Sequence, residues 1–139
     1  MQIGAGYNNG QIKGNTIDTC GSHGIGVDMC SDWAIDGNFV TKCGQAGIWV
    51  YGTSNVIVAN NNSTGNNTTA TDGRFDIMVG YVLTSKSLNC KVYANQMGTF
   101  GISDAENTIV TNNTIGSIGH NFGTNTKSFN NFINGTWTA

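Results

Sequence analysis

Charge, leucine and proline are scarce in this chain. Six basic and eight acidic residues occur in 139, for a net charge of −2 at neutral pH. That is no electrostatic footprint for DNA or RNA. No stretch approaches the ~18 consecutive apolar residues that mark a membrane-spanning helix. The N-terminal Met1-Gln2-Ile3-Gly4 lacks the basic-then-apolar form of a signal peptide. Cytosolic synthesis, an excised fragment or a removed leader are the expectations that remain. Two leucines, Leu83 and Leu88, are too few for leucine-rich repeats.

Glycine, asparagine and threonine fill the space, and glycine alone occurs 20 times. All three are weak helix formers, and asparagine also competes locally for backbone groups. Apolar content of 38% with so little net charge argues against disorder. The length fits one domain.

The chain is built from repeats. Ile12-Lys13-Gly14-Asn15-Thr16-Ile17 recurs as Ile35-Asp36-Gly37-Asn38-Phe39-Val40 and as Val110-Thr111-Asn112-Asn113-Thr114-Ile115, with looser copies at 58–61, 92–97 and 130–133. The aligned asparagines are Asn15, Asn38, Asn61, Asn95, Asn113 and Asn131, whose numbers differ in turn by 23, 23, 34, 18 and 18. A second element, Gly21-Ser22-His23-Gly24-Ile25-Gly26-Val27, matches Gly44-Gln45-Ala46-Gly47-Ile48-Trp49-Val50 and, more loosely, the segments beginning at Gly73 and Gly98. Each unit holds about three short runs with period-2 apolar alternation, separated by Gly, Asn, Ser or Asp. This is the pattern of strands.

Short strands repeating at this interval predict an all-β solenoid, a parallel β-helix of about six coils over residues 1–139. Stacked at ~4.8 Å, six coils make a rod of roughly 29 Å. Ile17, Ile25, Val27, Val40, Ile48 and Val50 are expected inside. The six asparagines are expected as a structural ladder at a tight corner, in left-handed backbone. Cys20 and Cys43 fall one coil apart and are expected to stack as buried, reduced thiols, with a vertical disulfide as the alternative. No Cys-x-x-Cys spacing exists, so no metal site and no cofactor are expected.

The units Gly-Asn-x-Ile-x-x-x-Gly-x-x-Gly-Ile-x-Val resemble the right-handed parallel β-helix of the pectate-lyase-like superfamily, including the tailspike and appendage proteins of bacteriophages. The resemblance covers about Gly10 to Ile133. It implies polysaccharide as partner, bound in a groove on the side of the rod, a virion or extracellular setting, and a homotrimer or neighbouring domain that caps the coil ends. A solenoid needs polar caps, and Met1 to Tyr7 is short for one, so a fragment or a covered end is expected.

The superfamily's catalytic motifs are mostly missing. Its lyases carry an arginine base in a proline-containing motif, whereas this chain has no proline and a single arginine, Arg74. Of the polygalacturonase motifs, only Ser22-His23-Gly24-Ile25 resembles one, and no Asp-Asp pair occurs.

The repeat breaks once. The third unit, from Asn61 to Asn95, is half as long again as the two before it, with the excess expected in Asn62–Asp72 and Gly80–Ser87. Insertions in solenoids map to loops on one face, often the binding face. If Ile48, Val50, Phe75 and Ile77 point inward, Trp49, Tyr51 and Asp76 point outward, with Asp28 one coil earlier. Exposed rings beside carboxylates suit sugars; the alternative is that the long loop folds over Trp49 and merely buries it. The expected site is therefore Trp49, Tyr51 and His23 for binding, with Asp28, Asp76 and Arg74 as candidate catalytic groups. Asp28 and Asp76 would lie two coils apart, roughly 9.6 Å by the coil spacing, a separation that fits an inverting hydrolase. Two functions follow: a carbohydrate-binding or carbohydrate-degrading β-helix, or a structural coil of a fibre or adhesin.

Overall fold

The computed structural model describes residues 1–70, 74–80, 86–119 and 125–138. Among them every regular element is a strand. The strands form three walls wound around one core, as the expected parallel β-helix requires.

The first wall contains Gln2–Ile3, Ile25–Asp28, Ile48–Tyr51, Ile77–Val79, and the later residues of Gln96–Ile102 and Thr114–Ile118, all parallel. The second contains Gly10–Lys13, Trp33–Asp36, Ile57–Ala59, Lys91–Tyr93, Ile109–Thr111 and Lys127–Phe129. The third runs through Thr16–Cys20, Phe39–Cys43 and Asn62–Thr64 into the early residues of Gln96–Ile102 and Thr114–Ile118, and ends at Phe132–Ile133. A final hairpin pairs Thr136–Trp137 antiparallel to Phe132–Ile133. Six rungs in the second wall match the six aligned asparagines.

The period-2 pattern selects the core. Ile12, Ile35, Val58, Val92 and Val110 are buried and in register through the second wall. Ile25, Ile48, Ile77 and Phe100 do the same in the first. The strands stay short because left-handed residues turn the chain at fixed places. One such column is Asn9, Asp32, Asn55, Asn89, Asn107 and Asn125, with φ between 52° and 62°.

The ladder forms as expected, but its backbone corrects the sequence reading. The left-handed residues are those just before it: Gly14, Gly37, Asn60, Ala94, Asn112 and Asn130, with φ of 53–65°. The turn is finished one residue early, so the asparagine starts the next strand with its side chain aimed inward. Each side-chain amide donates to Oδ1 of the next rung at 2.9–3.0 Å. Each backbone N–H donates to that same oxygen at 2.9–3.0 Å. At the C-terminal end the hairpin continues the pattern, where Thr138 Oγ1 accepts from the Asn131 N–H at 3.0 Å. All rungs except Asn15 are buried.

Cys20 and Cys43 are register partners, and all four cysteines are thiols. Cys43 is buried but Cys20 is half-buried, because its coil lies near one end of the stack. Burial, then the adjoining Cys20 thiol, pushes the Cys43 thiol up to about 12.

The register locates the extra length of the third unit. Thirteen positions separate Thr64 from Ile77, against seven between the matching Thr41 and Ile48. Twelve separate Val79 from Lys91, against seven between Val50 and Ile57. Asn62–Thr64 is an ordinary strand of the third wall. Residues 66–69 then track the previous turn, with Asn67, Thr68 and Thr69 donating to the carbonyls of Gln45, Cys43 and Gly44. Asp72, and most of the 80–87 segment, lie outside the described residues.

Candidate functional site

The outer face of the first wall gathers five of the six expected site residues. Trp49 and Tyr51 share one side of Ile48–Tyr51 because side chains two apart on a strand point the same way. Their rings stack, with centroids 5.3 Å apart and planes at 15°. His23, from the turn before the previous rung, stacks on Trp49 at 4.3 Å and 25°. The guanidinium of Arg74 lies 5.5 Å from the indole centroid, within reach of a cation–π attraction of ~0.5–2 kcal/mol. The result is a comb of rings clasped by the chain's single arginine.

His23 is locked into this comb. Its Nδ1 accepts the Ala46 N–H at 3.2 Å, so the neutral ring carries its proton on Nε2. Burial, then the nearby Arg74 charge, lowers its pKa to about 4. It is therefore neutral at physiological pH.

Asp28 is in register with Tyr51 and is half-buried. Desolvation raises its pKa. Its Oδ1 and the Trp49 Nε1 are both shielded from solvent, and neither has a hydrogen-bond partner among the described residues. An orphaned acceptor and an orphaned donor thus sit on neighbouring rungs of one face. Each such atom costs ~1–3 kcal/mol.

Asp76 is placed elsewhere, contrary to the outward position expected for it. It is 3% exposed, and its register partner is Gly47, which ends the turn before the strand. Met78, not Asp76, takes the place of Trp49 in the third coil. Strict in–out alternation holds within strands, and Asp76 precedes its strand, where the chain turns inward. There its Oδ1 accepts from the Asn66 N–H and side-chain amide at 2.8 and 2.9 Å. Its Oδ2 accepts from the Thr99 N–H and hydroxyl at 2.8 and 3.1 Å. Four donors make this carboxylate a bracket between coils. It also lies four residues earlier along its coil than the rung position of Asp28, which puts the two roughly 16 Å apart by strand rise and coil spacing. The expected separation of roughly 9.6 Å does not hold, and the carboxylate pair is not assembled.

Phe75, expected inside, lies outside. A side chain at Gly101 or Gly119 would strike its ring, so those glycines make the floor on which Phe75 rests. The sequence does carry the signal: two glycines, one coil apart, at the strand position held by Trp49 two coils before the first of them.

The family described as a right handed beta helix region matches residues 3–137. The chain belongs to that family. No curated protein and no solved structure matches it. The family fixes the hand of the coil and agrees with the stacked parallel walls.

Proposed function

We propose that this right-handed β-helix binds polysaccharide on the outer face of its first wall, as a segment of an appendage of the phage tailspike type. The observation that carries the reading is the orphaned pair, Trp49 Nε1 and Asp28 Oδ1, beside a braced comb of rings. A sugar hydroxyl both donates and accepts, so a glycan can satisfy both atoms while its C–H surfaces meet the rings. His23 and Tyr51 both stack on the indole, so the ligand meets the outer edge of the comb. The comb is held before any ligand arrives, which lowers the ordering cost of binding.

The reading is binding without cleavage. Most glycoside hydrolases use two carboxyl groups flanking one bond, and Asp76 is committed to Asn66 and Thr99. Neutral, hydrogen-bonded His23 serves the comb. A purely structural coil is the competing reading, favoured by the packing of His23 and Tyr51 against the indole. A glycan array, followed by titration calorimetry on any hit, separates the two. Trp49→Ala and Asp28→Ala should each reduce affinity by tenfold or more, with no reducing ends released by the parent protein. Absence of binding across bacterial surface polysaccharides, or binding that survives both substitutions, refutes the proposal in favour of the structural coil.

A further inference from the structure

The first two coils carry a paired feature in the third wall, apart from the ring comb. Thr16–Cys20 and Phe39–Cys43 run in register, and both end on a cysteine, with Cys20 opposite Cys43. Strict alternation from the inward Ile17 and Val40 would aim both thiols outward. Alternation is broken in both strands at the same place. Thr19 and Lys42 hold φ of 64° and 53°, stand exposed, and turn the next side chain back toward the core. Positive φ is uncommon in any residue with a Cβ and an outlier for a β-branched one. Two coils thus share an unfavourable backbone, and its consequence is a column of two sulfurs. The third coil has Gly65, with φ of 67°, and Asn66 at these positions, so the column stops at two.

Adjacent rungs lie ~4.8 Å apart, inside the roughly 4.4–6.8 Å between Cα atoms that a disulfide spans. The coils are already tied beside the sulfurs. The Gly44 N–H donates to the Cys20 carbonyl at 2.7 Å, and Lys42 pairs with Asp18 at 3.3 Å. A Cβ at Gly24 would come within 2.9 Å of the Cys43 sulfur, so glycine there leaves the sulfur its space. The other thiols have different neighbours. Cys30 donates to the carbonyls of Gly4 and Asp28, and Cys90 meets Thr53 Oγ1. Access differs within the pair. Cys43 is fully buried, whereas Cys20 is half-buried, with its Sγ donating to the Ser22 carbonyl at 3.3 Å. One reachable thiol on one sealed thiol is an arrangement for attack and resolution. The strand that carries Cys20 pairs on one side only, with Phe39–Cys43, and such a terminal coil opens at the least cost.

We propose that Cys20 and Cys43 form a redox-closed staple: thiols in a reducing compartment, and a disulfide between the first and second coils once the folded chain meets a small disulfide such as oxidised glutathione. The Cys20 thiolate attacks one sulfur of oxidised glutathione and expels a glutathione thiolate. Cys43 then gives up its proton, attacks the Cys20 sulfur of the mixed disulfide and expels the second glutathione. The protein dithiol loses two electrons and two protons, and oxidised glutathione becomes two glutathione thiols. The bond closes a loop of 23 positions, which restricts the unfolded chain. It also locks the coil that frays first. The staple shares no residue with the ring comb, so it stands or falls apart from glycan binding.

The test equilibrates reduced, folded protein with oxidised and reduced glutathione at pH 8, quenches it in acid, and alkylates it in denaturant with N-ethylmaleimide. Mass spectrometry should find two alkyl groups instead of four. After trypsin, residues 14–42 should be joined to 43–74 through Cys20, with Cys30 alkylated. Cys43→Ala should stall with one glutathione on Cys20, and Cys20→Ser should keep all its thiols. Closing the bond should raise the urea midpoint and slow amide exchange across Thr16–Cys20 at least tenfold, and a reductant should reverse both. The proposal is overturned if four alkyl groups remain, if Cys20 bonds to Cys30 or to another chain, if the bond forms only after urea opens the protein, or if closing it lowers the midpoint.

Discussion

Removing one central rung of the asparagine ladder tests the reading of what holds the coils together. Asn95 is 2% exposed. Its Oδ1 accepts from the Asn61 N–H at 2.9 Å and from the Asn61 side chain at 3.0 Å. Its side-chain amide donates to the carbonyls of Val58 and Tyr93 at 2.9 and 3.0 Å and to Asn113 Oδ1 at 3.0 Å. In Asn95→Ala all five bonds vanish. The Asn61 amide hydrogen is left without a partner between stacked coils, at ~1–3 kcal/mol. The Asn61 side chain still reaches the Ile35 carbonyl, and Asn113 Oδ1 still receives the Asn95 N–H. Four partly compensated bonds add ~0.5–1.5 kcal/mol each at most, so after local relaxation the expected loss is about 3–5 kcal/mol. Asn15→Ala is the control. That rung is half-buried, and its side chain only donates, to Lys13 and Asn38. Its removal should cost about 1 kcal/mol. Urea unfolding of the three proteins, fitted with a shared slope, gives both numbers. Equal losses for the two variants, or a loss under about 1 kcal/mol at Asn95, would refute the ladder as a source of stability that grows with burial.

Three more outcomes follow from the same geometry. Asp76→Ala leaves four donors without their acceptor and should destabilise by about 3–5 kcal/mol after relaxation, read as a lower urea midpoint, whereas Asp28→Ala should leave that midpoint nearly unchanged or raise it. The His23 pKa is depressed to about 4 in the folded chain and is ~6.5 unfolded. Its contribution is therefore complete above pH ~6.5 and lost as pH falls toward 4, by ~1–2 kcal/mol once solvent screening of the half-exposed ring is allowed for; His23→Gln should flatten the midpoint across that window. In native protein at pH 8, alkylation should label half-buried Cys20 first, while buried Cys30, Cys43 and Cys90, all pushed upward by desolvation, react only on unfolding. Early labelling of Cys43 by mass spectrometry would contradict its burial.

The sequence by itself determined the solenoid. A coil is a local structure repeated, so its strands, inward valines and isoleucines and its asparagine column are all written at fixed intervals along the chain. It also determined that His23, Trp49 and Tyr51 share a face, because register follows from the same intervals, and Arg74 joins them from the next coil. Which way Asp76 and Phe75 point was decided only by the tertiary structure. Both precede their strand, where alternation stops and the partners come from outside it: Asn66 of the same coil and Thr99 of the next for the carboxylate, Gly101 and Gly119 of later coils for the ring. The left-handed position was likewise misread by one residue, since a repeat shows that a turn exists but not which of its residues carries the positive φ.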